Sequence, residues 1–572
     1  MLNLDWINIL DKHFKYLKTK INKENIFIVW WSIRDILLDI EKDPKDIDIT
    51  TDQDPQTIFS QIKQEEISIF KTDKFGTITI VPKWQDSNIE KVKYELTPLR
   101  SEWQYDDFRH PWKINRTNNI VLDSKRRDFT INCLYYFSID LDYIKPNYNK
   151  IKDELDLIKK LKKNWKVFLL DKNILIIKDK ELINKLFPNA NLDIEILKDI
   201  IKNNSYNISN DFVDKKNISI IIDPWWGIED ILNKKIKAVW EADSRFQEDA
   251  LRIIRWVRIP NILNQKIKKD KNKIKETIFF DYDWETWASM KKNYFLVQFI
   301  AKERIKDEIM KVFIADNPFG FVVLLDELNI LKYIFPYLYM TKNNNQPVRY
   351  HAFDTYAHTI LCFYNIQFIN KDPLVRFAML YHDVGKPDQY YCSSLLDREE
   401  RKKIHSMRIN HSTCWADMTL QDFKKLWFSK KECETISFYV KEHLLAWEIL
   451  SWKEKNIIKK IKKLLSSIWY KKLQNLIDIC IADRRWQYNP LQLENVDVLQ
   501  NLKKLIDEIY EKQWEFTQKD LKIDGNIVIE EMQINPWPQV WILLQKALNW
   551  VIQDIDNRNN KEIIIEYLNK NM

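Results

Sequence analysis

Two aspartates one residue apart, Asp46 and Asp48, punctuate the apolar stretch Asp46-Ile-Asp-Ile-Thr50. A strand has a side-chain period of two, so both carboxylates share one face while Ile47 and Ile49 point into a core. Hard oxygen ligands suit Mg2+, which takes few protein carboxylates and completes its shell with water and substrate phosphate. Two such ions about 3.5–4 Å apart are what phosphoryl-type transfer uses to activate an attacking hydroxyl and hold a triphosphate. A second set lies far along the chain: His358, the adjacent His382 and Asp383, His411, His443 and Asp483. Imidazoles and carboxylates on separate helices can gather one or two divalent metals of unspecified identity. Six of the eight histidines fall between His351 and His443, which marks a separate chemical unit.

The elements that would position these groups can be read from periodicity. Residues 26–31 predict a buried strand, and 32–38 a helix with Ser32 at its N-cap. Alternation predicts further strands over 76–81 and 92–99, the second with Glu95 and Thr97 on one face. Residues 167–170 and 174–177 flank Asp171-Lys-Asn173 and predict a hairpin. From Arg245 onward, apolar residues recur at helical spacing, and the rest of the chain reads as all helical. The expected fold class is therefore α+β. A head of small mixed sheet and helices covers 1–137, followed by a Lys/Asn-rich insertion, 138–216. The end of the head and a helical neck occupy 217–315, a helical body with the His/Asp cluster 316–495, and a helical tail 496–572.

A chain of 572 residues is too long for one ordinary core. Its 45% hydrophobic and 30% charged content is globular rather than disordered. The net charge of +8 permits a polyanionic partner without requiring one. Six cysteines without CxxC or other close spacing suggest neither a zinc site nor a disulfide framework, and a reducing cytoplasm fits best. No segment reaches the roughly 18 unbroken apolar residues of a membrane span.

The segment Ile28-Val-Trp-Trp-Ser-Ile-Arg-Asp-Ile-Leu-Leu38, followed by Asp46-Ile-Asp48, resembles the signature of the class II CCA-adding and poly(A) polymerase family. That signature is Val-Gly-Gly-x-Val-Arg-Asp-x-Leu-Leu and then Asp-x-Asp. The order continues. Arg100, Tyr105, Asp107, Arg109, His110 and Pro111 resemble the family's flexible loop. Arg126-Arg-Asp-Phe-Thr-Ile-Asn132 resembles its ribose-recognition motif, and Asp223-Pro-Trp-Trp-Gly-Ile-Glu-Asp230 resembles Asp-Pro-x-Gly-Gly-x-Glu-Asp. Arg245 to Arg255 resembles the segment whose Glu-Asp-x-x-Arg motif selects the base. The resemblance implies nucleotide contacts at Trp30, Trp31, Ser32, Arg34, Asp35, Arg126, Arg127, Asp128, Asn132, Asp249, Arg252 and Arg255, with Mg2+ on Asp46 and Asp48. Asp249 and Arg252, expected i, i+3 on one helix face, would present an acceptor beside a guanidinium fork to C or A. His358, His382, Asp383 and Asp483 follow the spacing of HD phosphohydrolases, which implies a divalent metal there. The implied partners are tRNA, CTP and ATP, with no membrane. The implied reaction is addition of CCA to tRNA 3′ ends. Two alternatives stay open: a poly(A) polymerase, and an HD phosphohydrolase whose head is an inactive RNA-binding module.

One total is abnormal. There are 5 glycines beside 23 tryptophans, where about 7% glycine, or roughly 40 residues, is usual. Trp30, Trp31, Trp103, Trp226, Trp240, Trp256, Trp415, Trp486, Trp537 and Trp541 stand where the family has or accepts glycine. The expectation is that many of them are glycine in the cell, a UGA codon read there as glycine having been written as tryptophan.

Overall fold

Alternation in the N-terminal segments is what a one-sided sheet requires, and strands form where it occurs. The computed structural model describes the chain outside residues 1–5, 22–24, 39–43, 62–66, 73–76, 83–91, 106–110, 141–166, 172–173, 198–216, 267–279, 346–352, 388–410, 452–453, 486–491, 515–517, 535–537, 553–554 and 572. It divides into two compact units, Met1–Ala301 and Lys302–Met572.

The first unit is built on β1 (Ile26–Val29), β2 (Asp46–Thr51), β3 (Ile67–Thr72), β4 (Thr77–Pro82), β5 (Lys93–Pro98), β6 (Arg100–Tyr105), β7 (Pro111–Arg116), β8 (Tyr135–Asp140), β9 (Val167–Asp171), β10 (Ile174–Ile177) and β11 (Asn217–Ile222). Nine of them form one mixed sheet in the order β3-β4-β5-β2-β1-β8-β11-β10-β9. β2 lies between antiparallel β1 and parallel β5, its register placing Asp48 opposite Glu95. Ile47, Ile49, Tyr94 and Leu96 are fully buried on the core face, so each strand's alternation aims its acidic residues at the other face. β6 and β7 form a separate antiparallel ribbon.

One expectation is extended and two change. Within 138–216, β9 and β10 form the expected hairpin, and β10 pairs in parallel with β11, which joins the hairpin to the head's sheet at its edge. Leu175, Ile176 and Ile177 are successive apolar residues, all buried, so the strand needs cover on both faces. The region after Arg245 is not wholly helical, because Asp281–Tyr282 pairs with Lys235–Ile236. Ser32 is not an N-cap. The helix runs Trp31–Leu37 and its N-cap is Trp30, at φ 68° and ψ −142°, with no side-chain cap.

Among its described residues the second unit is helical. Its last segment has its own core of Leu521, Val528, Leu543, Ala547, Ile564 and Leu568. Among the described residues no helix is long and apolar enough to cross a membrane.

Candidate functional site

On the polar face of β2, Asp46 and Asp48 are partly buried, and Glu95 on β5 stands beside Asp48. Burial, and then the charge of Glu95, push the Asp48 carboxyl up to about 7. Its Oδ2 is buried without a hydrogen-bond partner. Three crowded carboxylates, one with an orphaned buried oxygen, are a set that a divalent cation relieves. The residues present therefore fit Mg2+. Glu95 was placed on a strand face by the sequence, but its part in the acidic cluster follows only from the β2/β5 register.

The buried Ser32 hydroxyl accepts from the Asp48 backbone N–H at 3.4 Å, which joins the start of the helix to the acidic strand. Two residues on, Arg34 donates to Asp35 at 2.7 Å and to Asn132 Oδ1 at 2.7 Å. Asn132 donates in turn to Asp128 at 3.1 Å, and Arg255 reaches the other Asp128 oxygen at 3.9 Å. Arg34, Asp35, Asp128, Asn132 and Arg255, drawn from three separate motifs, thus form one chain of contacts.

Arg126 and Arg127 are fixed by a residue the sequence reading missed. Asp123 is fully buried, and five donors converge on it: Arg126 Nε at 2.8 Å, Arg127 through Nε and a terminal nitrogen, the Tyr135 hydroxyl at 2.6 Å and the Arg100 backbone N–H at 3.1 Å. Burial alone would raise this carboxyl; Arg126, Arg127, Tyr135 and Arg100 outweigh it and hold the group well below the ordinary range. Its signal was the i−3 and i−4 spacing to two arginines. Arg127 keeps one buried terminal nitrogen without a hydrogen-bond partner, and its charge acts on Asp48. A cation so placed can meet a phosphate oxygen.

Asp249 and Arg252 do not share a helix face. The helices Ala242–Glu248 and Leu251–Lys266 are separate, and Asp249 sits between them in extended conformation, accepting the Leu251 N–H at 3.1 Å. An Asp side chain accepting from the backbone N–H two residues on starts a new helix, which a continuous apolar pattern conceals. Arg252 is buried and tied to the Arg245 carbonyl at 2.7 Å, Glu248 at 2.9 Å and the Arg126 carbonyl at 3.0 Å. Its guanidinium is therefore fixed to the motif that holds Arg126 and Arg127. Tyr105 ends β6, whereas Asp107, Arg109 and His110 lie outside the described residues.

In the second unit the predicted His/Asp set converges. His358 comes from the helix Thr355–Ile369, His382 and Asp383 follow the helix Pro373–Tyr381, and Asp483 lies on the helix Tyr470–Arg484. His358 Nε2 is 3.0 Å from Asp483 and 3.6 Å from Asp383; His382 Nε2 is 3.2 Å from Asp383 and 3.7 Å from Asp483. The His382 Nδ1–H donates to the Met379 carbonyl at 2.8 Å, which turns Nε2 toward the cluster in the way metal-binding histidines are oriented. Burial raises Asp383, yet His382 and Lys386, the latter 2.5 Å away, hold it well below the ordinary range. Cys362, one turn after His358, also enters: ligand atoms of His358, Cys362, His382 and Asp483 all lie within 4.8 Å of one another. His443 is buried close by, its ring 5.8 Å from those of His382 and Trp415. His411 begins a helix, but its side chain lies outside the described residues.

Comparison with known proteins agrees with the head. The family model "Poly A polymerase head domain" matches residues 26–165, and "Probable RNA and SrmB- binding site of polymerase A" matches 279–340. A CCA-adding enzyme of Lactobacillus johnsonii is 26% identical over 301 residues, covering 52% of this chain and 49% of the relative. One from Streptococcus uberis is 26% identical over 294 residues, covering 51% and 46%. The chain thus spans about half the length of the curated relatives it matches. Among solved structures, the Bacillus stearothermophilus CCA-adding enzyme in complex with CTP aligns over 98% of this chain and 95% of its own, at 16% identity and a TM-score of 0.49.

Proposed function

We propose that this chain belongs to the poly(A) polymerase and CCA-adding family and adds CCA to tRNA 3′ ends from CTP and ATP without a template. The observation supporting this most directly is the trio Asp46, Asp48 and Glu95, next to Arg127 and to the chain of contacts from buried Arg34 to half-buried Arg255. Asp46 and Asp48 hold Mg2+, which when bound lowers the cost of ionising the RNA 3′ hydroxyl and neutralises triphosphate charge. The 3′ oxygen bonds to the α-phosphorus, the bond to the β-phosphate oxygen breaks, and pyrophosphate leaves while the hydroxyl proton passes to solvent. Arg127 offers its unpaired nitrogen to phosphate, and Asn132 and Asp128 fix the ribose side of the site. Arg252, held rigidly by two carbonyls and Glu248, presents its remaining N–H edge to the base beside Asp249. Tyr105, Asp107 and Arg109 belong to the loop that accompanies the change from C to A.

The second unit holds a divalent metal through His358, His382, Asp383 and Asp483, with Cys362 in reach, in a phosphohydrolase-type site acting on RNA ends. The tail, 496–572, contacts tRNA, and the protein works in the cytoplasm.

The test is incubation of the chain, both as written and with glycine at 30 and 31, with tRNA lacking its terminus and each NTP. Incorporation of two C and one A supports the proposal. A long A tract indicates a poly(A) polymerase, and no incorporation by either form indicates an inactive head.

A further inference from the structure

Ten non-glycine residues among those described have positive φ, and four are tryptophan: Trp30, Trp226, Trp240 and Trp427. Three more are asparagine, at 189, 329 and 343, which tolerates this region through its short polar side chain. A bulky residue does not, because its Cβ meets the neighbouring carbonyl.

The contrast is sharpest at two helix ends of the same design. After the helix Phe319–Glu327, the Asn329 N–H bonds to the Asp326 carbonyl at 2.9 Å and the Ile330 N–H to the Leu325 carbonyl at 2.8 Å. After the helix His411–Lys425, the Trp427 N–H bonds to the Lys424 carbonyl at 3.0 Å and the Phe428 N–H to the Phe423 carbonyl at 3.1 Å. Both are Schellman turns, and the second has the accompanying apolar contact, Phe423 against Phe428 with ring centroids 5.0 Å apart. The left-handed position of that turn takes glycine or asparagine. Asparagine fills it at 329, whereas at 427 stands an indole 67% exposed to solvent.

The other three positions repeat the pattern. Trp226 caps the helix Gly227–Asn233 at φ 63°, ψ 30° without a side-chain cap bond. The following Gly227 is so close to the Thr130 carbonyl that a Cβ would fall 2.2 Å from its oxygen. Trp240, at φ 63°, precedes the helix Ala242–Glu248. Trp30, at φ 68° and ψ −142°, lies near a region that is essentially glycine's alone. Burial does not compensate at 226 and 240, which are 44% and 46% exposed. Each has a lysine over its ring, Lys178 at 4.6 Å and Lys125 at 3.9 Å, a weak return at an exposed site.

We infer that Trp30, Trp226, Trp240 and Trp427 stand where the natural protein carries glycine. Trp427 joins this set from its backbone alone, with no motif to suggest it. Trp256 leaves it on the same criterion: it is helical, fully buried and stacked 3.8 Å from Tyr282. Trp226 and Trp240 both line a cavity of about 750 Å³ beside Thr130, Lys178 and Asp230, which glycine would enlarge. Resting on the proposed reaction, one consequence concerns the acidic strand: the Trp31 side chain acts on the Asp48 carboxyl, and the Trp30 ring lies 5.3 Å from Arg127. Glycine at 30 and 31 would clear both groups for metal and triphosphate.

Mass spectrometry of peptides from the protein purified from its source organism tests the inference. Glycine masses are expected at 30, 226, 240 and 427, and tryptophan masses there would overturn it. A second measurement uses the full chain made as written and with Trp30→Gly, Trp226→Gly, Trp240→Gly and Trp427→Gly together. The four changes should raise the melting temperature by roughly 5 °C or more. Trp284→Gly and Trp469→Gly, at tryptophans 77% and 82% exposed and absent from the positive-φ set, should not raise it. A quadruple variant no more stable than the chain as written would overturn the inference. Neither readout depends on enzymatic activity, so failure of the proposed reaction is seen separately.

Discussion

Replacing Asp123 by asparagine is the most exacting single perturbation of the head. The carboxylate is wholly buried and receives Arg126, Arg127, the Tyr135 hydroxyl and the Arg100 N–H. Asparagine keeps one acceptor but turns an NH2 group toward donors, and it leaves two guanidinium groups without their counter-charge. Breaking one side of a buried ion pair costs about 3–5 kcal/mol. At about 2–4 °C per kcal/mol for a domain of this general size, the melting temperature should fall by roughly 10 °C. Urea unfolding of the full chain reads the same loss as a lower midpoint at unchanged slope. Asp243→Asn is the control: its pair with Lys292 at 2.5 Å is largely exposed, and an amide oxygen can go on accepting from Ser289 and Asn293, so the change should cost about 1 kcal/mol or less. The pH dependence has a definite sign. Because folding depresses the Asp123 pKa, its stabilisation is complete above the unfolded value near 4 and declines as pH falls below that toward the folded value. The gap between wild type and Asp123→Asn should therefore narrow in acid. A loss no larger than that of Asp243→Asn, or a gap that widens as pH drops, would refute this account of the Arg126–Arg127 anchor.

Three further outcomes follow from the sites. In the chain with glycine at 30 and 31, Asp46→Ala or Asp48→Ala should cut nucleotide incorporation by about 1,000-fold or more while a tRNA gel shift stays unchanged; near-normal turnover would remove the metal assignment. Arg252→Ala should relax the preference for CTP and ATP over UTP and GTP in single-nucleotide assays. Unchanged selectivity with a collapse in melting temperature would make Arg252 purely a clamp on the Arg126 carbonyl. His382→Ala and Asp383→Ala should each lower the divalent metal content measured by elemental analysis of the purified chain, and equal content in wild type and variants would count against the cluster.

Local rules reached some of this architecture and not the rest. Asp46 and Asp48 were legible because strand alternation is local and Ile47 and Ile49 commit the opposite face to the core. The convergence of His358, His382, Asp383 and Asp483 is anticipated by the resemblance to HD phosphohydrolases, and three separate helical segments, ending or lying at these residues, bring it about. Glu95 was not assigned to the cluster, because its position beside Asp48 is set by a parallel register between strands more than 40 residues apart in sequence. The break at Asp249 was hidden by apolar residues that keep helical spacing on both sides of it. The strands within 138–216 were found as a hairpin, but their place at the sheet edge depends on β11, which follows a polar stretch. Asp123 shows a further limit: its two arginines were read for what they bind, and the residue that aims them was passed over.

The matched helix ends at Asn329 and Trp427 have a consequence outside enzymology. Both turns impose the same torsion, and chain geometry is indifferent to how a gene was transcribed into letters. A left-handed turn therefore narrows what a codon there can encode: glycine or asparagine fits the torsion and tryptophan does not, so such turns single out the codons whose reading is worth checking. Torsion angles can audit a genetic code.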